Sequence, residues 1–493
     1  MFAVGGVRRI AREMSNSHAA ETLAYARPPA GPREAPQAIR RVCLAAFVLI
    51  GAYLALIGAI FINEQWPDFE YFYKAGAWLR EHGSLDRGVD LLPGGQVVPR
   101  GSIEWYLPFT SRMMTLIAWL PYKTAGFIWV ALNVAAMFTT VRLIGRQLMG
   151  LPPRDWPVTM LLPFLFLIVF WYWEYKLNQI DNFTLLLLVA TFVHWQQGRH
   201  KVAGLWLGLA VLLKLTPGLL GLWFLLKRQF RVVGVAALTF VLAGPVSDLI
   251  VFRPSTAMDE YRIWAHKAVH RASHGGLVRA QVEMDWRNQG LGAVLSRWLH
   301  PTSYATRFDN EPRAPASPYS KLVNVAHLTP ETIANIVTVV LGLSLVGLLV
   351  LARRPARVLN LWQLRLEWAL FVLAMLWFMP VMRRYHMIWA LPAMALLAAG
   401  VHHVGWRRRW SILALIAMFI VVGSQIALIS KEFIGTNLVE GYGITLLAVI
   451  ALAVPLVTVL LWLARNPAAV SQDVFATAST GDGPADEPAH SHA

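Results

Sequence analysis

Long apolar runs separated by short polar breaks occupy most of this chain. They fall near 42–62, 122–145, 157–175, 182–196, 202–215, 217–227, 231–252, 331–352, 364–381, 386–403, 410–430 and 441–464. A hydrocarbon core roughly 30 Å thick takes about 20 residues of helix to cross, and a helix satisfies its own backbone in lipid. The pattern therefore predicts an all-α polytopic membrane protein, a bundle of about 12 transmembrane helices. The segment "LLKLTPGLL" reads as two short helices broken at Pro217, which a span tolerates only where protein encloses the break. Residues 107–121, with Pro at both ends and Arg112 inside, read as a helix lying at the interface rather than crossing it.

Charge gives the runs a direction. Arg142, Arg146 and Arg154, then Arg199 and Lys201, then Lys227, Arg228 and Arg231 fall in alternate breaks. Arg353, Arg354 and Arg357, "WRRRW" at 406–410, and Arg465 continue the series. Lys and Arg in short loops mark the cytoplasmic side, so both termini are expected on that side of the membrane. The domain plan is a loose tail over 1–40, a membrane domain over 41–465 and a second disordered tail over 466–493. Outer loops then cover 63–121 and 253–330, the second basic through Arg253, Arg262, Lys267, Arg271, Arg279, Arg287 and Arg297. Lipid-phosphate head groups suit such residues, and so does a solvated face.

Composition agrees: 56% hydrophobic, 15% charged, 21 Trp, a net charge of +16 and a mean hydropathy of +0.49. A single cysteine, Cys43, precludes a disulfide framework within the chain. The sequence has no phosphate-cradling Gly-rich loop, Asp-x-Asp pair or serine nucleophile elbow, so neither a soluble nucleotide nor nucleic acid is an expected partner, and no cofactor is expected. His266, His270 and His274 share helical spacing but lack the carboxylate of a zinc motif, so no metal site is assigned to them.

This topology gathers unusual polar residues on the outer side. Asp68 follows the first span; Gln179, Asp181 and Asn182 open the fourth; Lys214 lies at the broken pair; Arg383, Arg384 and His386 stand between the ninth and tenth. Ionisable groups at membrane depth are costly, and their convergence suggests a site. Individually they have plainer readings: Asp68 as a helix N-cap, Lys214 snorkelling, the two arginines as anchors, His386 packed beside Trp389.

"DFEYFYKAGAWL" from Asp68, "YLPF", "WLPYKTAGFIWVALN", "NQIDNFTLLLL", "QGRHKVAGLWLGLAVLLKLTP", "WRNQGLGAVLSRWL" and "RRYHMIWALP" together resemble glycosyltransferase family 87 over about 65–395. That family comprises GT-C enzymes, among them polyprenyl-phosphate-mannose-dependent mannosyltransferases. The resemblance implies a GT-C-like bundle and a hexosyltransferase using a polyprenyl-phosphate sugar donor, with mannose favoured, a glycolipid or glycan acceptor, and the site at the outer leaflet. It implies Asp68 as catalytic base and His386 near the reaction centre; where the family often carries a second histidine, this chain has Tyr385. Lys214, Arg383 and Arg384 are the candidates for the donor phosphate, because cations near a departing lipid anion lower the barrier. Gln179, Asp181, Asn182, Asn288, Gln289 and Phe72 are the substrate-binding candidates. The rival from another class is a lipid or sugar-lipid transporter, which shares interior charges and broken helices but often shows matching interruptions in two repeated halves; "KLTP" has no counterpart in the second half.

Overall fold

A computed structural model describes residues 34–63, 68–83, 89–91, 97–99, 106–149, 151–251, 257–258, 260–262, 264–265, 286–303, 322–402, 408–434 and 438–465. Of the expected tails, 1–33 and 466–493 lie outside the described residues, as do His266, His270, His274, Arg253, Lys267, Arg271 and Arg279, whereas 34–40 are described and the first helix already begins at Gln37, inside the stretch expected to be loose. Helices run α1 (Gln37–Asn63), α2 (Asp68–His82), α3 (Pro108–Thr115), α4 (Tyr122–Leu143), α5 (Trp156–Leu165), α6 (Ile168–Leu177), α7 (Asp181–Gln196), α8 (His200–Leu213) and α9 (Gly218–Leu226). They continue with α10 (Phe230–Val241), α11 (Ser247–Val251), α12 (Leu291–Leu299), α13 (Pro330–Leu351), α14 (Leu361–Trp377), α15 (Leu391–His402), α16 (Arg408–Ile434), α17 (Leu438–Gly441) and α18 (Ile444–Arg465). The fold is the helical polytopic bundle expected, with one small addition: strands β1 (Val89–Leu91) and β2 (Val97–Pro99) pair as an antiparallel hairpin between α2 and α3.

Among the described residues, six helices are long and apolar enough to cross a membrane, and α5 with α6 makes a bent pair, angled by 81°. The apolar runs at 182–196, 202–215, 217–227 and 364–381 form helices shorter than a full span, namely α7, α8, α9 and α14. α14, which hides nearly every residue from Trp362 to Leu376, is apolar on all sides because it is buried among other helices, whereas α8 and α9 keep apolar residues such as Leu205 and Leu225 exposed. An aromatic stack of Phe192, Trp195, Trp223, Phe224 and Trp368 fills the centre between α7, α9 and α14.

Two close approaches set the frame around the site. On α8, Gly204 and Gly208 lie against α10 so closely that a Cβ would meet Val232 O at 2.6 Å and Ala236 O at 2.7 Å. Small residues four apart let membrane helices touch through their backbones. Beyond the first span, Gly76 of α2 leaves room for Met114 of α3, whose backbone carbon would lie 2.7 Å from an added Cβ. Helix α3 is the non-crossing helix expected from 107–121, with Leu116 and Trp119 exposed just beyond it. It is fastened by Arg112, which pairs with Asp248 of α11 at 2.6 Å.

The bend between α5 and α6 exposes backbone groups in the middle of the bundle, and a side chain from α16 repairs them. Gln425 donates its amide to Phe166 O and accepts the Val169 N–H at 2.9 Å. An unsatisfied peptide group at membrane depth costs several kcal/mol, so this glutamine makes the bend tolerable.

Candidate active site

The polar residues meet where α1 ends, α6 turns into α7 and α8 breaks. Asn178 takes a left-handed conformation (φ 51°) and closes α6, a position that asparagine tolerates better than most residues. Its side chain donates to Gly58 O on α1 at 3.0 Å, and its carbonyl accepts from Trp129 on α4 at 3.0 Å. This anchored reversal points the next residues, Gln179 to Asn182, into the space below α2.

Asp68 is the first residue of α2, where the unpaired N–H groups of a helix favour negative charge. Gln179 donates its amide to Asp68 Oδ2, and its own carbonyl receives the Tyr106 hydroxyl at 3.4 Å. Phe69 and Phe72 turn the other way, into an aromatic cluster with Tyr106, Tyr122 and Trp129 that seats α2. Phe72 is 2% exposed, so its contribution is to packing under the site.

Asp181 and Lys214 are joined. Both carboxylate oxygens lie 2.7 Å from the Lys214 ammonium, which extends from the break after α8. Asp181 is fully buried and Lys214 nearly so, and the indole of Trp389 donates to the Asp181 carbonyl at 3.3 Å. The ammonium also faces the rings of Tyr106, Tyr385 and Trp389 at 5.8, 5.9 and 5.3 Å. His386 completes the group. Its Nδ1 accepts the Arg383 backbone N–H at 2.9 Å, so the proton of the neutral ring sits on Nε2, which lies 3.8 Å from Asp181 Oδ2. Asn182 is held behind them: its N–H donates to Glu174 at 3.1 Å and its amide to Asn133 at 3.1 Å.

Around Asp68 the electrostatic neighbours are Tyr106, Tyr385 and Arg383. Burial, then the carboxylate of Asp181 and after it those of Asp68 and Glu174, push the Tyr106 phenol well above its usual value. Burial and then Asp68 do the same to Tyr385. Both phenols therefore remain protonated donors in this carboxylate-rich space.

Not every expected residue joins. Arg384 pairs with Glu440 of α17, its guanidinium 4.7 Å from the Trp173 ring centre and 4.5 Å from that of Trp286. Asn288 and Gln289 are spent on backbone. Asn288 accepts from Gly290 and Met382 at 2.8 and 3.1 Å, and Gln289 donates to Trp286 O and Glu440 O at 2.6 and 2.9 Å. With Arg297, which donates to Gly441 O and Asn288 O at 2.9 Å each, they brace the loop carrying Arg383 and His386. Sequence reasoning gave no role to Glu174 or Glu440, and neither belongs to a recognisable motif. Tyr106 was visible only as part of "YLPF".

A bundle of membrane helices with a carboxylate, two phenols and a lysine–aspartate–histidine group at one end defines a polytopic membrane protein with a buried polar site. Residues 105–326 match the model of glycosyltransferase family 87, so this segment is similar to that family. Tyr106, Gln179, Asp181, Asn182, Lys214, Asn288 and Gln289 fall inside the match; Asp68 precedes it, and Arg383, Arg384 and His386 follow it. The chain is also similar to a polyprenol-phosphate-mannose-dependent alpha-(1-2)-phosphatidylinositol pentamannoside mannosyltransferase of Mycolicibacterium smegmatis (strain ATCC 700084 / mc(2)155). The two are 28% identical over 226 residues, covering 45% of this chain and 53% of that protein, so the chain spans about half the length of the curated relative it matches.

Proposed function

We propose that this protein is a membrane glycosyltransferase that moves a sugar from a polyprenyl-phosphate donor to a hydroxyl of a glycolipid or glycan acceptor. Mannose is the favoured sugar, because the curated relative is named for a mannose-dependent reaction. The observation that carries the reading is the placing of Asp68: a carboxylate at a helix start beside the membrane, oriented by Gln179, with Arg383 close enough to interact electrostatically.

In this reading Asp68 takes the proton of the acceptor hydroxyl as its oxygen attacks the anomeric carbon. The bond from that carbon to the phosphate oxygen breaks, and its electron pair leaves with the lipid phosphate. Arg383 and the third N–H of Lys214 receive this developing charge, two protons of the ammonium being given to Asp181. Arg384, committed to Glu440, is left out of that role. His386 and Asp181 hold Lys214 and the 383–386 turn in register. A single displacement inverts the anomeric centre, so one base suffices and a second carboxylate nucleophile is not needed. The site faces the outer side of a bacterial plasma membrane, where the donor's tail remains in the bilayer, and both termini are cytoplasmic.

Purified protein in lipid, supplied with labelled polyprenyl-phosphate mannose and a glycolipid acceptor, tests this directly. The expected result is label covalently attached to the acceptor. Absence of transfer across acceptor classes, with labelled lipid instead moving between leaflets, would replace the enzyme by a transporter.

A further inference from the structure

Along one side of the bundle, α13, α14 and α18 line a cavity of about 810 Å³ that runs from Arg353 and Arg354 to Trp377. It exists because α13 leans away from its neighbours: only Ile333, Ala334 and Val337, all near its first turns, are buried. Further along, Ser344, Gly347, Leu348 and Leu351 form one helical stripe facing the cavity. The opposite walls are mostly leucine, valine and alanine from α14 and α18, with Gln363, Glu367, Trp377 and Thr458 among them. The polar groups on this wall are engaged, Ser344 with the Trp377 indole at 3.2 Å and Glu367 with buried Lys227 and the Trp223 indole. Thr458 is bonded to Val454 O at 2.8 Å and Gln363 to Asn360, so the middle of the space is chiefly aliphatic and suits hydrocarbon. At the mouth stand Arg353 and Arg354, both exposed. With Lys227 neutralising Glu367, the rim is cationic.

We propose that this cavity is a binding site for an anionic diacyl phospholipid, its acyl chains between α13 and α14–α18 and its head group at Arg353 and Arg354. Chains alone give no preference inside a bilayer, since surrounding lipid is equally apolar, so selectivity comes from the arginines. A polyprenyl-phosphate sugar seated here would present its sugar at the end away from Asp68, which separates this site from the donor site. The inference does not rest on the transfer reading.

The test is native mass spectrometry of the full chain after exchange into phosphatidylglycerol or phosphatidylcholine of matched chains. Wild type is expected to retain phosphatidylglycerol preferentially. Arg353→Gln with Arg354→Gln should cut that preference by roughly thirtyfold, the loss of two head-group charges. A Cβ at residue 347 meets nothing within 4 Å, so Gly347→Leu fills the cavity without a clash and should lower retention of both lipids. Equal retention of the two lipids by wild type, an unchanged preference in the double variant, undiminished binding in Gly347→Leu, or a lipid-free dimer would each overturn the proposal.

Discussion

Replacing Asp68 with Asn separates chemistry from structure at this site. Asparagine has nearly the same shape, and its carbonyl oxygen can still accept from Gln179 Nε2, the bond that orients the wild-type side chain. The seating of α2 rests elsewhere, on fully buried Phe69 and on Phe72, so the helix stays in place. What disappears is the proton acceptor. A positioned general base contributes about 10²–10⁴-fold, which corresponds to about 2.7–5.5 kcal/mol of transition-state stabilisation. Initial rates with labelled donor should show kcat reduced by that factor while KM for the donor moves little, since the proposal assigns the donor phosphate to Lys214 and Arg383. Unchanged thermal melting would confirm that the fold survives. A variant rate within about threefold of wild type would refute the role of Asp68 as base.

Three further substitutions probe the surroundings. Gln179→Ala releases the Asp68 carboxylate from a charge-assisted hydrogen bond of about 1.5–3 kcal/mol and should lower kcat by roughly ten- to a hundredfold without lowering the melting temperature by more than a few degrees. Lys214→Met takes the ammonium away from buried Asp181 and should destabilise the protein by about 3–5 kcal/mol; adding Asp181→Asn should restore much of the melting temperature but not the transfer rate. Gly76→Val drives a side chain into the Met114 backbone, costing about 1–3 kcal/mol and separating α2 from α3, with loss of activity read in the same transfer assay.

The helical bundle was legible because apolar periodicity and arginine spacing report the solvent on each side of a segment, and lipid punishes every exception. The bend between α5 and α6 was not: 157–175 reads as one apolar run, and the group that repairs the break, Gln425, lies more than two hundred residues away. The same distance effect governs the site. Asp68, Gln179, Asp181, Lys214 and His386 stood out as ionisable or amide groups in greasy surroundings, and the structure brings them together. Their pairing could not be read. Nothing local announces that Lys214 closes on Asp181, or that Arg384, next to Arg383, turns instead to Glu440 between two tryptophans. Asn288 and Gln289 looked like pocket amides because an exposed and a backbone-satisfying amide have the same sequence signature. Their bonds to the 379–382 and 438–445 backbones identify them as the brace of the His386 turn.

The most direct measurement of the central claim is a structure of the protein bound to a non-transferable polyprenyl-phosphate sugar. The predicted result is the donor phosphate within about 3 Å of Lys214 and Arg383, with the anomeric carbon open to attack from the side of Asp68. A donor seated with its sugar away from Asp68, or at the arginine-bearing end of the bundle, would contradict it.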